Sequence, residues 1–220
     1  MFLKSNKNLI TIFVSSFIIF LLSCFGLFDG LSALVSKSLY NTLGYTNKWS
    51  TTYGESWFVN MSSNISAFGS REVVLIFSIF FLFYLFKARD KTKALDFLLT
   101  VTGGIILIVV LKSFTSTNEI ISFKTFLTES LSNFPSGHTF IATILYLGTA
   151  SALKSYRRSS EVNVYFFIAA SVLIFIVGMS RVTGGAHTVT EVIAGWSLGL
   201  CWFTFAQMFL RLNHKTVFNK

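Results

Sequence analysis

The sequence predicts an all-α, polytopic membrane protein with six transmembrane helices and short amphipathic periplasmic helices. Four observations predict this fold class. Of the 220 residues 53% are hydrophobic, the mean hydropathy is +0.66, and only 12% of the residues are charged. Long apolar runs also alternate with short polar connections. This composition excludes a soluble globular enzyme and an intrinsically disordered chain.

Six apolar runs are candidates for crossing the membrane, since a helix of about 20 apolar residues spans the hydrocarbon core. The predicted crossings lie near residues 9–28, 66–86, 94–111, 139–153, 164–179 and 192–210. The second run is short on its own, so we expect it to include flanking residues from about 65–70. Because no internal repeat divides the chain, residues 1–220 are predicted to form a single integral membrane domain.

The positions of the basic residues predict the orientation of these helices. Twelve of the 18 Lys and Arg residues lie at the two termini and around residues 87–93 and 154–158, where only three acidic residues accompany them. The other six basic and six acidic residues cancel, so the whole net charge of +9 lies on one side. The positive-inside rule therefore predicts cytoplasmic termini, and segments 29–72, 112–138 and 180–191 face outward. The charge does not predict nucleic-acid binding, because no basic segment is long or interleaved with aromatic residues.

The cysteines and the first outward segment have simple interpretations. Cys24 and Cys201 both lie in apolar runs and predict neither a disulfide framework nor a metal cluster. Leu21–Cys24 resembles a lipoprotein processing site, but the apolar run continues past it, so we expect the first helix to be retained as an anchor. Leu31, Leu34, Leu39 and Leu43 predict amphipathic helices at the membrane surface within residues 29–72.

Two outward clusters contain the residues suited to catalysis. His138 follows Pro135-Ser136-Gly137 and opens the fourth helix, where free backbone N–H groups and the helix dipole favour an anion. Such a turn can present backbone amides and a hydroxyl to a single phosphate. A helix-capping or interfacial histidine is the alternative interpretation.

The second cluster contains Ser180, Arg181 and His187, with Glu191 four residues further on. If the sixth helix begins near His187, the carboxylate can hydrogen-bond one ring nitrogen and leave the other basic, as a nucleophile requires. Arg181 offers a planar, permanently charged fork, and Lys112 adds a point charge at the same membrane face. Alternatively, both cations snorkel at the interface and Glu191 only complements the helix dipole.

These clusters resemble the motifs of the type 2 phosphatidic acid phosphatase (PAP2) superfamily, the membrane relatives of vanadium haloperoxidases. Residues 135–138 reproduce the family's Pro-Ser-Gly-His motif. Ser180, Arg181 and His187 match its Ser-Arg, five residues, His motif, and Glu191 stands where the family has Asp. Residues 68–73 are also similar to the start of the family's second helix.

The family's remaining motif, a Lys followed after six residues by Arg-Pro, is only half matched. Lys112 fits the first position, but Glu119 stands where the family has Arg. A phosphate-binding cation is therefore missing, and Lys124 is a candidate to replace it. We expect Glu119 to face away from the phosphate or to pair with a cation, because a carboxylate would repel a dianion.

The resemblance implies a haloperoxidase-like helical core and the metal-independent dephosphorylation of a membrane lipid phosphate or diphosphate through a phosphohistidine. His187 would attack phosphorus, Glu191 would orient it, and His138 would protonate the leaving oxygen and then activate water. The implied phosphate ligands are Lys112, Arg181, Ser136, Gly137 and Ser180, with Lys124 as a further candidate.

The implied substrates are phosphatidic acid, phosphatidylglycerophosphate, undecaprenyl diphosphate or lipid A phosphates. No cofactor, metal, nucleic acid or obligate protein partner is expected, and the lipid substrate and the bilayer are the only partners. The predicted location is a bacterial inner membrane, with the active site facing the periplasm. A lipid phosphotransferase that uses the same residues, and a catalytically silent lipid-binding or transport relative, remain as alternatives.

Overall fold

The computed structural model describes residues 6–44, 53–115, 134–154 and 159–218, and these form eight helices. In chain order they are α1 (Asn6–Cys24), α2 (Asp29–Leu43), α3 (Ser56–Ser66), α4 (Arg71–Lys87), α5 (Lys91–Thr115), α6 (Gly137–Lys154), α7 (Ser160–Thr183) and α8 (Val189–Phe218). A 3-10 turn, Ala67–Gly69, joins α3 to α4. No strand element occurs in the described ranges, so the predicted all-α class is confirmed there.

Four helices are long and apolar enough to cross a membrane: α1, α5 over Lys91–Ser113, α7, and α8 over Val189–Leu212. The bent pair of α3 and α4 makes a fifth candidate if it counts as one span, with an angle of 42° at the break. The predicted crossing at 66–86 falls on this pair. Because α6 is not among these candidates, the count of six crossings stays a prediction.

Helix α6 lies at the centre of the bundle. Every residue from Thr139 to Gly148 is buried, and the helix packs against α4, α5, α7 and α8. The Thr143 and Thr149 hydroxyls donate to carbonyl oxygens one turn earlier, which satisfies them inside the bundle. The polar Thr side chains of α6 are therefore compatible with its position inside the bundle, because their hydroxyls have acceptors there.

Two glycines bring α8 against α6 near the end of the bundle at which both helices begin. A Cβ on Gly195 would lie 2.7 Å from the Ser136 carbonyl oxygen, and one on Gly199 would lie 2.7 Å from the Thr143 Cβ. The spacing of four residues places both glycines on one side of α8, and small residues at this spacing let membrane helices approach closely. The contact fixes the start of α8 beside the start of α6.

Helices α1 and α2 form hydrogen bonds with opposite ends of α8. The Arg211 guanidinium donates to Asn6 Oδ1 at 3.4 Å, so α1 begins beside the last part of α8 and runs antiparallel to it. At the other end, the Thr190 hydroxyl donates to Asp29 Oδ1 at 2.9 Å, and the Thr190 N–H donates to Ser32 Oγ at 2.9 Å. The helices expected within 29–72 are present as α2 and α3, while their position at a membrane surface stays a prediction.

Candidate active site

The candidate catalytic and phosphate-binding residues that the sequence indicated lie together at one end of the bundle. Lys112 lies in the last turn of α5, His138 in the first turn of α6, Arg181 in the last turn of α7, and Glu191 in the first turn of α8. His187 lies in the short connection between α7 and α8. Two helices begin and two end here, so the antiparallel packing of the bundle brings the side chains together.

His187 and Glu191 form the central contact of the site. His187 Nδ1 lies 2.8 Å from Glu191 Oε2, and the side chains are 8% and 16% exposed. An ionised carboxylate only accepts hydrogen bonds, so Nδ1–H donates and Nε2 of the neutral ring carries the lone pair. The hydrogen bond expected from the spacing of four residues is therefore confirmed.

Glu191 also caps the helix on which it lies. The Thr188 N–H donates to Glu191 Oε2 at 3.0 Å, and the Glu191 N–H donates to Thr188 Oγ1 at 3.2 Å. These reciprocal bonds are a capping box, in which a Glu at the third helical position reaches back to the N-cap residue. The carboxylate that orients His187 is thus held by the helix terminus itself.

A glycine turn sets the direction of His187. The Arg181 carbonyl accepts from the N–H groups of Ala186 and His187, both at 3.1 Å. Gly185 has a φ of +68°, in the left-handed region that favours glycine. Arg181 and His187 are therefore fixed to each other through the main chain.

The Pro-Ser-Gly-His segment is joined to α8 by its backbone. The Ser136 N–H donates to the Glu191 carbonyl at 3.0 Å, and the Ser136 hydroxyl, 0% exposed, lies 2.8 Å from Thr139 Oγ1. Ser136 thus supports the turn, while Gly137 opens α6 with an N–H that has no acceptor within the helix. Lys112 Nζ lies 3.9 Å from the point that a Gly137 Cβ would occupy, so the ammonium group lies beside the first residue of α6.

Arg181 and Ser180 face different surroundings. Arg181 Nη1 donates to Ser66 Oγ at 3.2 Å, which ties the end of α7 to the end of α3. The Ser180 hydroxyl is buried and donates to the Val177 carbonyl at 2.7 Å. The roles of Ser180 and of the Ser136 hydroxyl as phosphate ligands stay predictions, because both hydroxyls already have partners within the protein.

His138 lies in a strongly positive environment just outside the predicted crossing at 139–153. Burial, followed by the charges of Arg181, of His187 whenever that ring is protonated, and of Arg71, lowers its pKa from 6.5 to about 3, and Glu72 opposes this shift. The imidazole is consequently neutral in the empty pocket at physiological pH. A bound phosphate would offset the neighbouring cations and favour the protonated ring.

The bend between α3 and α4 supplies residues to which the sequence analysis gave no role. A Cβ on Gly69 would lie 2.8 Å from the His138 carbonyl oxygen, so the 3-10 turn packs directly on the start of α6. Arg71 and Glu72 follow in the first turn of α4, close enough to influence His138. The signal that could have found Arg71 is its position as a cation within the motif-like segment 68–73, in a part of the chain that was predicted to face outward.

Two positions of interest lie outside the described residues. Glu119, which replaces the family's Arg, and Lys124, its candidate replacement, both fall within 116–133. Across the described ranges, no group of three or more His, Cys, Asp and Glu side chains is placed to hold a metal ion.

Similarity to known proteins decides the family. Residues 93–214, more than half of the chain, match the model of the PAP2 superfamily. The chain belongs to the PAP2 superfamily. The match includes Lys112, the Pro-Ser-Gly-His segment and the cluster from Ser180 to Glu191.

Curated PAP2 relatives match over part of their length. The chain is 40% identical over 82 residues to phosphatidylglycerophosphatase B of Bacillus subtilis, covering 37% of this chain and 40% of that protein. It is 33% identical over 100 residues to a PA-phosphatase related-family protein of Dictyostelium discoideum, covering 40% of this chain and 27% of that protein. The matched segments therefore span well under half of these relatives.

A solved structure matches nearly the whole chain. The crystal structure of a transmembrane PAP2-type phosphatidylglycerolphosphate phosphatase from Bacillus subtilis has a TM-score of 0.72 at 25% identity, covering 90% of this chain and 94% of that one. This likeness and the apolar helices identify the PAP2-superfamily chain as an integral membrane protein with the PAP2 membrane fold.

Proposed function

We propose that this PAP2-superfamily protein removes a phosphate group from a membrane lipid phosphate or diphosphate through a phosphohistidine on His187. The observation that carries the proposal is the 2.8 Å contact between His187 Nδ1 and Glu191 Oε2, with His138 and the cations of Lys112 and Arg181 around it. Glu191 fixes the tautomer that leaves Nε2 unprotonated, so this nitrogen is the nucleophile.

In the first step, His187 Nε2 attacks phosphorus and the bond from phosphorus to the lipid oxygen breaks. His138 gives a proton to the departing oxygen, so the products are a lipid alcohol, or a lipid monophosphate from a diphosphate, and a phosphohistidine. Because His138 is neutral in the empty pocket, this proton is taken up as the phosphate binds. Arg181, Lys112 and the Gly137 N–H stabilise the oxygens of the transferring phosphoryl group.

In the second step, water attacks the phosphohistidine. His138, now neutral, accepts the proton from water, the bond from phosphorus to Nε2 breaks, and inorganic phosphate leaves. The general acid of the first step thus serves as the base of the second. All the catalytic groups in this scheme are side chains or main-chain groups of the protein, and the reaction is expected to continue in the presence of a chelator.

Phosphatidylglycerophosphate is the first substrate that we propose, because two of the relatives described above are named for its dephosphorylation. Phosphatidic acid, undecaprenyl diphosphate and lipid A phosphates are the other candidates. The proposed setting is a bacterial inner membrane, with six crossings, cytoplasmic termini and the His187 site facing the periplasm.

Phosphate release from a panel of these four purified lipids, with excess chelator, tests the proposal. We expect wild-type protein to release phosphate and His187→Ala to lose the activity by about three orders of magnitude or more, as removal of a nucleophile does. Thr188→Ala is the matched control. It lies beside His187 and loses one capping bond, at a cost of about 1 kcal/mol of stability, but keeps the nucleophile and its orienting carboxylate.

The outcomes separate the alternatives. A labelled phosphate that appears on an added acceptor lipid, instead of in solution, would identify a phosphotransferase. Lipid binding with no turnover on any of the four substrates would identify a silent relative. Equal activity of His187→Ala and wild type would overturn the phosphohistidine scheme.

A further inference from the structure

A cavity that is separate from the His187 site lies in the outer surface of the bundle. It has a volume of about 560 Å³, within the range of small-ligand sites, and lies between α1, α6, α7 and α8. Its walls are mainly apolar, and include Ile12, Leu147, Phe167, Val172 and Phe175. Val172 and Phe175 are 49% and 57% exposed, so the cavity is a groove open to the lipid-facing surface.

One end of the groove is polar. Lys154, the last residue of α6, lies there with its Nζ 5.9 Å from the centroid of the Phe167 ring. Asn163 also lines the groove, and its Oδ1 atom is buried without a hydrogen-bond partner among the residues that the structure describes. A buried amide oxygen of this kind needs a donor, and the described part of the chain does not supply one.

The dimensions of the groove match one lipid chain. Since α6 begins at the His138 site, its rise of 1.5 Å per residue places Lys154 about 25 Å from the candidate active site. Along α7 the groove runs from Asn163 to Phe175, about 18 Å, which is a little more than half of the roughly 30 Å hydrocarbon core. A chain anchored at the Lys154 end would therefore reach just past the middle of the membrane.

We propose that this groove binds one phospholipid from the leaflet opposite the His187 site. One acyl chain occupies the apolar length, and the phosphate lies against the Lys154 ammonium. A donor in the headgroup, either the ammonium of ethanolamine or a hydroxyl of glycerol, then donates to Asn163 Oδ1. A choline headgroup has no such donor and leaves the amide oxygen unsatisfied.

Native mass spectrometry of the full-length protein, released from nanodiscs with equal parts of phosphatidylethanolamine, phosphatidylglycerol and phosphatidylcholine, tests the proposal. Wild type is expected to retain one lipid, with ethanolamine or glycerol in its headgroup. Val172→Trp fills the groove and is expected to lose that lipid. Leu173→Trp, which introduces the same side chain at the next residue, 37% exposed and outside the groove, is expected to retain it.

Two further variants test the headgroup contacts. Asn163→Leu is expected to keep a lipid but to lose the preference over phosphatidylcholine. Lys154→Gln is expected to retain about fivefold less lipid, the effect of one cation near a membrane phosphate. Lys87→Gln is its control, because Lys87 also ends a helix with its Nζ over a Phe ring, at 5.6 Å from the Phe83 centroid, but does not line the groove.

Equal retention by the two Trp variants, no preference among headgroups in wild type, or equal losses in Lys154→Gln and Lys87→Gln would each overturn the proposal. Phosphate release by Val172→Trp at the wild-type rate would show that this variant is folded. The groove is distant from His187, so the two proposals can fail independently. A groove that binds no lipid would leave the proposed phosphatase reaction intact, and an inactive His187 site would leave the lipid groove intact.

Discussion

Arg71 and Glu72 bring opposite charges to His138 from the first turn of α4. Positive charge disfavours the imidazolium, so Arg71→Ala is expected to raise the pKa of His138 and Glu72→Gln to lower it further. The dependence of kcat/KM on pH reports groups of the free enzyme. His138 must be protonated to act as the acid of the first step, so we expect the alkaline limb of this profile to move to higher pH in Arg71→Ala and to lower pH in Glu72→Gln.

The opposite signs make each variant the control for the other. A merely structural role for this turn of α4 would change the amplitude of the profile and leave the position of its alkaline limb unaltered. If this limb moves in the same direction in the two variants, or moves in neither of them, these charges do not act on His138. Thermal unfolding in detergent identifies any variant that is simply less stable.

At Glu191, the spacing in the sequence predicted part of what the structure contains. The hydrogen bond to His187 was predicted from a separation of four residues on a shared helix face. The bond is present, but α8 begins at Val189, so Glu191 reaches back across the helix start to a residue that precedes it. The capping box was not predicted, although Thr188 and Glu191 have the spacing that is typical of one. The bonds to Thr188 give a physical reason for Glu where the family has Asp, since the longer side chain reaches back to the N-cap N–H.

Between elements, the close approach of α8 to α6 depends on Gly195. A Cβ there would lie 2.7 Å from the Ser136 carbonyl oxygen and 3.0 Å from the Thr139 Cβ, so Gly195→Ala must push the helices apart. We expect a loss of about 1–3 kcal/mol of stability. A lower kcat is also expected, because the same shift strains the bond from the Ser136 N–H to the Glu191 carbonyl.

Gly30→Ala in α2 is the matched control for Gly195→Ala. Nothing lies within 4 Å of its added Cβ, and alanine is the better helix former by about 1 kcal/mol. Unfolding temperature and phosphate release are measured for both variants. A Gly195→Ala protein that is as stable and as active as Gly30→Ala would show that the two helices do not need this contact.

The break between α3 and α4 shows what an apolar run could not predict. The sequence predicted a continuous crossing over 66–86, whereas the chain turns at Ala67–Gly69 and α4 begins after the N-cap Ser70. The turn is held by a contact distant in sequence, since the Tyr146 hydroxyl donates to the Phe68 carbonyl at 2.8 Å. Hydropathy measures the preference of a segment for lipid and contains no information about such a partner.

For the whole molecule, the distribution of charge was the most informative property of the sequence. It placed Lys112, His138 and His187 on one face, and the described residues bring them together. It also placed both termini at the opposite face, and the contact of Asn6 with Arg211 joins the first and last helices at one end of the bundle. The antiparallel packing of the helices is enough to bring these site residues together. The assignment of the site to the periplasm depends in addition on how the bundle is oriented in the membrane.

Cysteine labelling of intact cells tests this orientation for the whole molecule. In a Cys24→Ala background, we expect Ala186→Cys, an exposed position beside His187, to react with a membrane-impermeant maleimide added outside. Ser160→Cys, exposed at the other end of α7, is expected to react only after permeabilisation. The 24 residues of α7 extend about 36 Å, enough to separate the two positions across a roughly 30 Å core. Outside labelling of Ser160→Cys with protection of Ala186→Cys would invert the topology and place phosphate release in the cytoplasm.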